Sequence, residues 1–557
     1  MMISRERRQP RRCGRVQVCG ERHSANRIRA AERLVRGLDA TMQRSCTYRH
    51  PAGRIVRIET HISVVYLAGR FAYKIIKPVA PGFVDFIAAD TRQRCCKAQV
   101  RLNRPLAQGL YIGVLPIVRH GRTLKLGTRG AAVEHAVKMR RFNEAMLFSG
   151  LARTGTLTPH DIDDAAQRLA DYHRRAPRSV PLTRYGCAEL LRTQIQAVNA
   201  PLLANFSHPA IHEISAWCEQ QLAKHAPAID GRRAGGFVRA CHGDLHLDNV
   251  VRWRGRIWMF DCIDFDEALR WIDVASDIAF LVMDLRARAG TRLSNRLLNR
   301  WLEESGDHAA LELMPLYVVY RALVRAWVEC LKGRNTSGRN AAAAANVARH
   351  YIDVAWAEMQ RPGPVLLLCH GYSGSGKSVA SRALVALIGA VYLSSDVERK
   401  RLSSPLATAG RLGAEHYTHV ARHAIYDHLL RLTSCVLQNG YSVIVDATFM
   451  MRSHRSAFFA LAESLGVPVR ILDFHAELPI LAERIEMRRR GPRDVSDADT
   501  STLALQLASA DPLTEDEKAL TFTFDTAVPL ADFDSPAFWQ PVIELVQIAA
   551  GPAEQVC

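Results

Sequence analysis

The stretch "VLLLCHGYSGSGKSVASRALVALIG", residues 365–389, restricts this chain more than any other. Its first five residues are apolar, as in a strand buried on both faces of a parallel sheet. Gly371, Gly376, Lys377 and Ser378 then fit the spacing G-x-x-x-x-G-K-[ST], and the segment after them predicts a helix. Strand, glycine loop and helix in that order point to a P-loop α/β sandwich. Each residue type has a chemical reason. Without bulky side chains, Gly371, Ser373, Gly374, Ser375 and Gly376 let backbone N–H groups curl around phosphate oxygens. Lys377 reaches the β- and γ-phosphates, the Ser378 hydroxyl suits Mg²⁺, and the helix from Lys377 adds its positive end. ATP and Mg²⁺ are the expected cofactors.

This loop lies about two-thirds of the way along 557 residues. At about 150 residues per domain, the part in front has room for a full core of its own. Pro362, Gly363 and Pro364 mark the division, because no helix continues through them. The expected organisation is an arginine-rich tail over 1–27, a first domain over 28–358, a linker over 359–364, a P-loop domain over 365–550 and a tail over 551–557. Residues 54–79 alternate and are β-branched, so successive antiparallel strands are predicted there. From about residue 130 to 235, and again from about 266 to 358, the pattern predicts mostly helix.

Further motifs follow the loop. In "VYLSSDVERKRL", Asp396 is expected where a strand ends, a position suited to taking a proton from an acceptor hydroxyl. A helix N-cap is the other reading of Ser394, Ser395 and Asp396. "NGYSVIVDATF" predicts a buried strand ending in Asp446, either a Mg²⁺ ligand or a structural carboxylate. "RIEMRRRGPR" supplies Arg484, Arg488, Arg489, Arg490 and Arg493. Arginines at such sites neutralise charge during phosphoryl transfer. Helical spacing puts Arg484 and Arg488 on one face, which makes that pair the stronger candidates. Together these segments, over about 364–550, resemble small P-loop kinases of the gluconate-kinase-like, polynucleotide-kinase-like and zeta-toxin-like class.

The front part has its own constellation. "CHGDLHLDNVV" holds Asp244 and, five residues on, Asn249. A kinase catalytic loop needs an aspartate to orient and deprotonate the acceptor and an asparagine for Mg²⁺. "WMFDCIDF" then offers Asp261 as a second metal ligand, with Asp264 as its substitute. The HGDxHxxN form resembles the aminoglycoside phosphotransferase and choline-kinase families. That resemblance implies a bilobal, protein-kinase-like fold, with Lys74 of "FAYKIIKPV" on the α/β-phosphates and Asp277 in a structural role. Nearly the whole chain from about residue 28 is similar to a bacterial group that joins such a domain to a P-loop kinase domain. Two features depart from the pattern. The helix expected in "DTRQRCCKAQVRLNR" has no glutamate for Lys74, leaving Gln99 or Asp90 as substitutes, and the usual glycine-rich covering loop is missing.

Composition narrows the partners. The net charge of +19 invites nucleic acid, but ten lysines against 64 arginines point to genome bias, and eleven arginines against four acids crowd into residues 1–40. A nucleic-acid partner is thus the less favoured reading. No apolar run is long enough to span a membrane. Thirteen scattered cysteines form no CxxC pair, which points to the cytoplasm. The expected function is ATP-dependent phosphoryl transfer to a hydroxyl of a small molecule, with one site in each part. The alternatives are a P-loop enzyme regulated by a ligand-sensing pseudokinase domain, and a nucleotide or polynucleotide 5′-kinase.

Overall fold

Alternating residues near the front of the chain do fold as antiparallel strands. In the computed structural model, which describes residues 33–60, 62–79, 85–121, 123–127, 129–180, 183–334, 336–403, 419–490 and 500–549, they are β1 (Val56–Glu59), β2 (Ser63–Ala68) and β3 (Phe71–Ile76). The expected tails, 1–27 and 551–557, lie outside the described residues, as does Arg493. The chain divides into two compact units, Met1–Met146 with Trp258–Arg270, and Leu147–Ile257 with Trp271–Cys557.

The first unit is a six-stranded antiparallel sheet. After helix α1 (Ala89–Ala107) come β4 (Tyr111–His120), β5 (Thr123–Leu126) and β6 (Ala132–Arg140), and the strand order is β1-β2-β3-β6-β4-β5. Helix had been expected from about residue 130. The segment "AVEHAVKMR" instead forms β6 and pairs with both β3 and β4, so the sheet overrides local helix propensity. Every residue of β3 is buried, Lys74 included. Helix α1 is tied to β6 by a buried ion pair, in which Arg92 donates to Glu134 at 2.7 Å.

The second unit begins with helices. The longer ones are α2 (Pro159–Arg175), α3 (Ala188–Asn205), α4 (Ile211–Ala234), α5 (Val274–Ala289), α6 (Thr291–Ser305), α7 (Met314–Arg334) and α8 (Arg339–Met359). Thr158 and Asp161 close a capping box on α2, with Pro159 at its first position. Short strand pairs lie among these helices: β7 (Val238–Ala240) with β10 (Trp271–Asp273), and β8 (Val250–Trp253) with β9 (Arg256–Met259). Twelve successive residues of α5, Val274–Leu285, are buried. A helix covered all round forms core, so its two carboxylates, Asp277 and Asp284, must find partners.

The same unit continues into a five-stranded parallel sheet, of order β12-β13-β11-β14-β15. Its strands are β11 (Leu366–His370), β12 (Val391–Ser394), β13 (Val443–Asp446), β14 (Val469–His475) and β15 (Thr521–Asp525). The connecting helices are α9 (Lys377–Ile388), α10 (Ser395–Ser403), α11 (His419–Gln438), α12 (Arg452–Leu465), α13 (Leu478–Arg490) and α14 (Thr500–Ser509). Leu367, Leu384, Ile444, Leu472, Phe474 and Trp539 form part of one core beneath the sheet. Sites in such folds lie beyond the C-terminal strand edge, where the segment after β11 emerges. Among the described residues no helix is long and apolar enough to cross a membrane.

Candidate functional site

The glycine loop leaves β11 in a conformation that only glycine takes readily. Gly371 and Gly374 have φ of +136° and +87°. A Cβ on the first would lie 2.3 Å from the Phe474 carbonyl oxygen, and on the second 2.6 Å from that of Leu481. Lys377 opens α9 and folds back over the loop, donating to the carbonyls of Gly371 and Tyr372 at 2.8 Å each. Burial lowers the pKa of its ammonium, opposed by the charge of Asp446. Gln506 of α14 grips the loop from outside, accepting from Ser373 N–H at 2.9 Å and donating to its hydroxyl at 3.0 Å.

A cavity of about 950 Å³ opens above this loop. Lys377, Ser378, Asp396, Asp446, Arg484 and Arg488 all line it, so the structure brings the C-terminal candidates together. Asp446 is the last residue of β13 and is buried. Its carboxylate accepts from the Tyr392 hydroxyl. Burial, then the charge of Asp446, raises the pKa of Tyr392 far above its ordinary value, so the phenol keeps its proton and donates. β12 ends at Ser394, and Asp396 falls in the first turn of α10, where it accepts from Arg399 at 2.6 Å. Arg484 donates to the carbonyl of Thr526 at 2.6 Å and to its hydroxyl at 3.1 Å. Arg488 lies one turn further along α13.

The exposed Ser378 hydroxyl and the buried Asp446 carboxylate share this cavity. Hard oxygen donors of this kind suit Mg²⁺, which keeps several waters and takes few protein ligands.

The loop from His242 to Asn249 is built differently, by α5. Asp277 accepts from the N–H groups of His242 and Gly243 at 3.0 and 2.8 Å. Asp284, two turns on, accepts from Leu247 N–H at 2.8 Å. The two carboxylates on the buried helix thus meet their need for partners by clamping the loop. Trp301 donates to Nδ1 of His173 at 3.3 Å, which leaves Nε2 to donate to Asp277 at 3.1 Å. Asn249 donates to the backbone carbonyl of Asp244 at 2.8 Å and to its carboxylate at 3.2 Å.

His246 Nε2 stands 3.4 Å from the Asp244 carboxylate. Burial pushes the Asp244 carboxyl up, but His246, with its hydrogen bond, and Arg325 outweigh this and hold the group below the usual carboxylate range. Burial alone would lower His246, and Asp244 reverses this to raise it to about 9. His246, Arg325, Asp284, Tyr392 and Gln506 escaped the sequence reading. Only His246 carried a local signal, its position inside the HGDxHxxN motif.

The first unit joins Lys74 to Asp261, whose carboxylate accepts from the lysine. This corrects the expectation that Gln99 or Asp90 of α1 would take the missing glutamate's place. Asp261 lies just past β9 with φ of +65°, and its N–H donates to the Tyr111 hydroxyl at 3.2 Å. That turn aims the carboxylate at Lys74. Burial raises the pKa of Asp264 nearby to about 6, against the pull of Lys74.

Comparison with known proteins agrees with both halves of this description. The model of the phosphotransferase enzyme family matches residues 144–314, and that of an AAA domain matches residues 366–513. The "Uncharacterized protein Rv2004c" of Mycobacterium tuberculosis is 30% identical over 468 residues, which cover 81% of this chain and 90% of that one. Among solved structures, a choline/ethanolamine kinase family protein from Mesorhizobium loti is 15% identical, covering 58% of this chain and 95% of its own, with a TM-score of 0.36. A gluconokinase from Sinorhizobium meliloti is 21% identical, covering 34% and 97%, with a TM-score of 0.25. The two family matches support a phosphotransferase. With both segments in one chain and the mycobacterial relative spanning them, the protein belongs to that relative's family, as a member that joins a phosphotransferase-type segment to a P-loop segment.

Proposed function

We propose that the chain is an ATP-dependent phosphotransferase acting on a hydroxyl of a small molecule in the cytoplasm, with catalytic domains over 28–358 and 365–550. The observation that carries this is the cavity shared by Lys377, Ser378, Asp396, Asp446, Arg484 and Arg488. In this reading the backbone of 371–376 and Lys377 hold the phosphates of ATP. Ser378 and Asp446 hold Mg²⁺, which draws charge from the phosphate oxygens when bound. Asp396 takes the proton of the acceptor hydroxyl as that oxygen bonds to the γ-phosphorus. The bond from this phosphorus to the β–γ bridging oxygen breaks, and ADP leaves. Arg484 and Arg488 offset the charge that develops on the transferring group. The loop of Asp244 and Asn249 is assigned to acceptor and Mg²⁺ in a second phosphotransfer role, and Lys74 and Asp261 of the first unit to nucleotide and metal. The test is ATP consumption across a panel of hydroxyl compounds by wild type, Lys377→Ala and Asp244→Ala. The reading holds if Lys377→Ala abolishes most turnover.

One observation favours a second reading for the front part. Lys74 and Asp261, proposed for nucleotide and metal, are paired with each other. A domain that binds a ligand by breaking this pair, and controls the P-loop site without transferring phosphate, fits the same contact. Calorimetry on full-length Lys377→Ala separates the two. Nucleotide binding with no transfer to any hydroxyl supports a regulatory domain, and robust transfer excludes it.

A further inference from the structure

Helix α6 faces two ways. Leu297, Leu298, Trp301 and Leu302 are buried, and Ser294 donates to the Val282 carbonyl of α5 at 2.8 Å. The helix is thereby seated on the one that clamps the His242–Asn249 loop. Its other row carries Asn295, Asn299 and Glu303, spaced by four residues and so aligned on one face. All three hold the P-loop part of the same unit. Asn295 donates to the Ala386 carbonyl at 3.1 Å. Asn299 donates to the Ala390 carbonyl at 2.9 Å and accepts from Tyr392 N–H at 2.8 Å. Glu303 takes both terminal nitrogens of Arg382, each at 2.8 Å.

Arg382 belongs to α9, the helix that Lys377 opens, and lines the same cavity as Asp446. Its guanidinium carbon lies 4.7 Å from the centre of the Tyr392 ring, close enough for a cation–π contact. Tyr392 in turn donates to Asp446. A side chain of the phosphotransferase-type segment therefore reaches the P-loop carboxylate through two intermediates.

We propose that Arg382 and Tyr392 are positioning residues for Asp446, and that Glu303 holds them in register, so that cation-dependent nucleotide binding at the P-loop depends on the preceding segment. This rests on Asp446 being a cation ligand, as read above. Tyr392 engages one carboxylate oxygen and so fixes the rotation of the group. Glu303 grips the Arg382 guanidinium, which the Asp446 charge also attracts. Once released, the guanidinium competes with the cation for that carboxylate. Partners standing behind a metal ligand typically change metal affinity by about 10–100-fold.

The test is calorimetric titration of the full chain with adenylyl imidodiphosphate, in Mg²⁺ and in EDTA, using Lys74→Ala as the parent so that the front lysine is absent. Tyr392→Phe and Glu303→Gln each lower the affinity in Mg²⁺ about tenfold and leave that in EDTA within about twofold. Together they weaken it less than the product of the two effects, because both act through one carboxylate. Equal losses in both media, independent effects, or no loss would overturn the proposal and reduce these contacts to packing. If Glu303→Gln fails to fold, the split between Mg²⁺ and EDTA in Tyr392→Phe, which keeps the ring under Arg382, decides. A parent with no Mg²⁺-dependent affinity overturns the reading of Asp446 itself, and this proposal with it.

Discussion

The loops over 242–249 and 371–378 are held by different means. The second takes its shape chiefly from within, from glycines at positive φ and a lysine that folds back onto its own carbonyls, with Gln506 added from outside. The first is held from outside, by Asp277 and Asp284 of a helix that lies some thirty residues later in the chain. A loop shaped by its own residues tolerates change around it. A loop shaped by buried carboxylates is tied to the stability of the core that supplies them.

The largest expected effect tests that tie. Asp277→Ala leaves two loop N–H groups and His173 without their acceptor in a fully buried place. Loss of a buried charged partner costs about 3–5 kcal/mol, to be read as a fall in urea midpoint. Next comes Lys377→Ala, which removes a loop cation while leaving the fold, and lowers ATP turnover at the P-loop by about a hundredfold or more with the urea midpoint unchanged. If the midpoint fell as far as in Asp277→Ala, the contrast between the loops would fail.

A pH series sharpens the comparison further. His246 is raised from its ordinary 6.5 to about 9 by Asp244. A cation whose folded pKa is raised stabilises fully below its unfolded pKa and loses that contribution as pH rises through the folded value. The stability gap between wild type and His246→Asn is therefore greatest near pH 6 and closes between about pH 7 and 10. A gap that stayed constant over this range would remove His246 from the charge balance of the front loop. The smallest effect is that of Gln506→Ala. It removes two partly buried hydrogen bonds to Ser373, worth about 1 kcal/mol together, and weakens nucleotide binding about fivefold by calorimetry.

The same contrast explains what was legible in the sequence. Gly371–Ser378 declared themselves because their geometry is written into contiguous residue types. Strands β1–β3 followed from alternation, and β11 and β13 from short apolar runs. Asp244 and Asn249 were found through their spacing. Their support was legible only in part: the resemblance implied a structural role for Asp277, whereas Asp284 and Arg325 act on the loop from helices that the fold brings to it. The Lys74–Asp261 pair was missed for a related reason. It depends on a positive φ at Asp261, a conformation that non-glycine residues rarely take and that local sequence does not announce. The strand β6 was missed because it lies inside the sheet between β3 and β4, and that placement overrides a local pattern that reads as helix.

The central claim, that the P-loop cavity is the principal phosphotransfer site, is tested most directly by ATP consumption over a hydroxyl-compound library with wild type, Lys377→Ala and Asp244→Ala side by side. The account predicts turnover lost in Lys377→Ala and largely kept in Asp244→Ala. Turnover intact in Lys377→Ala and lost in Asp244→Ala would contradict it.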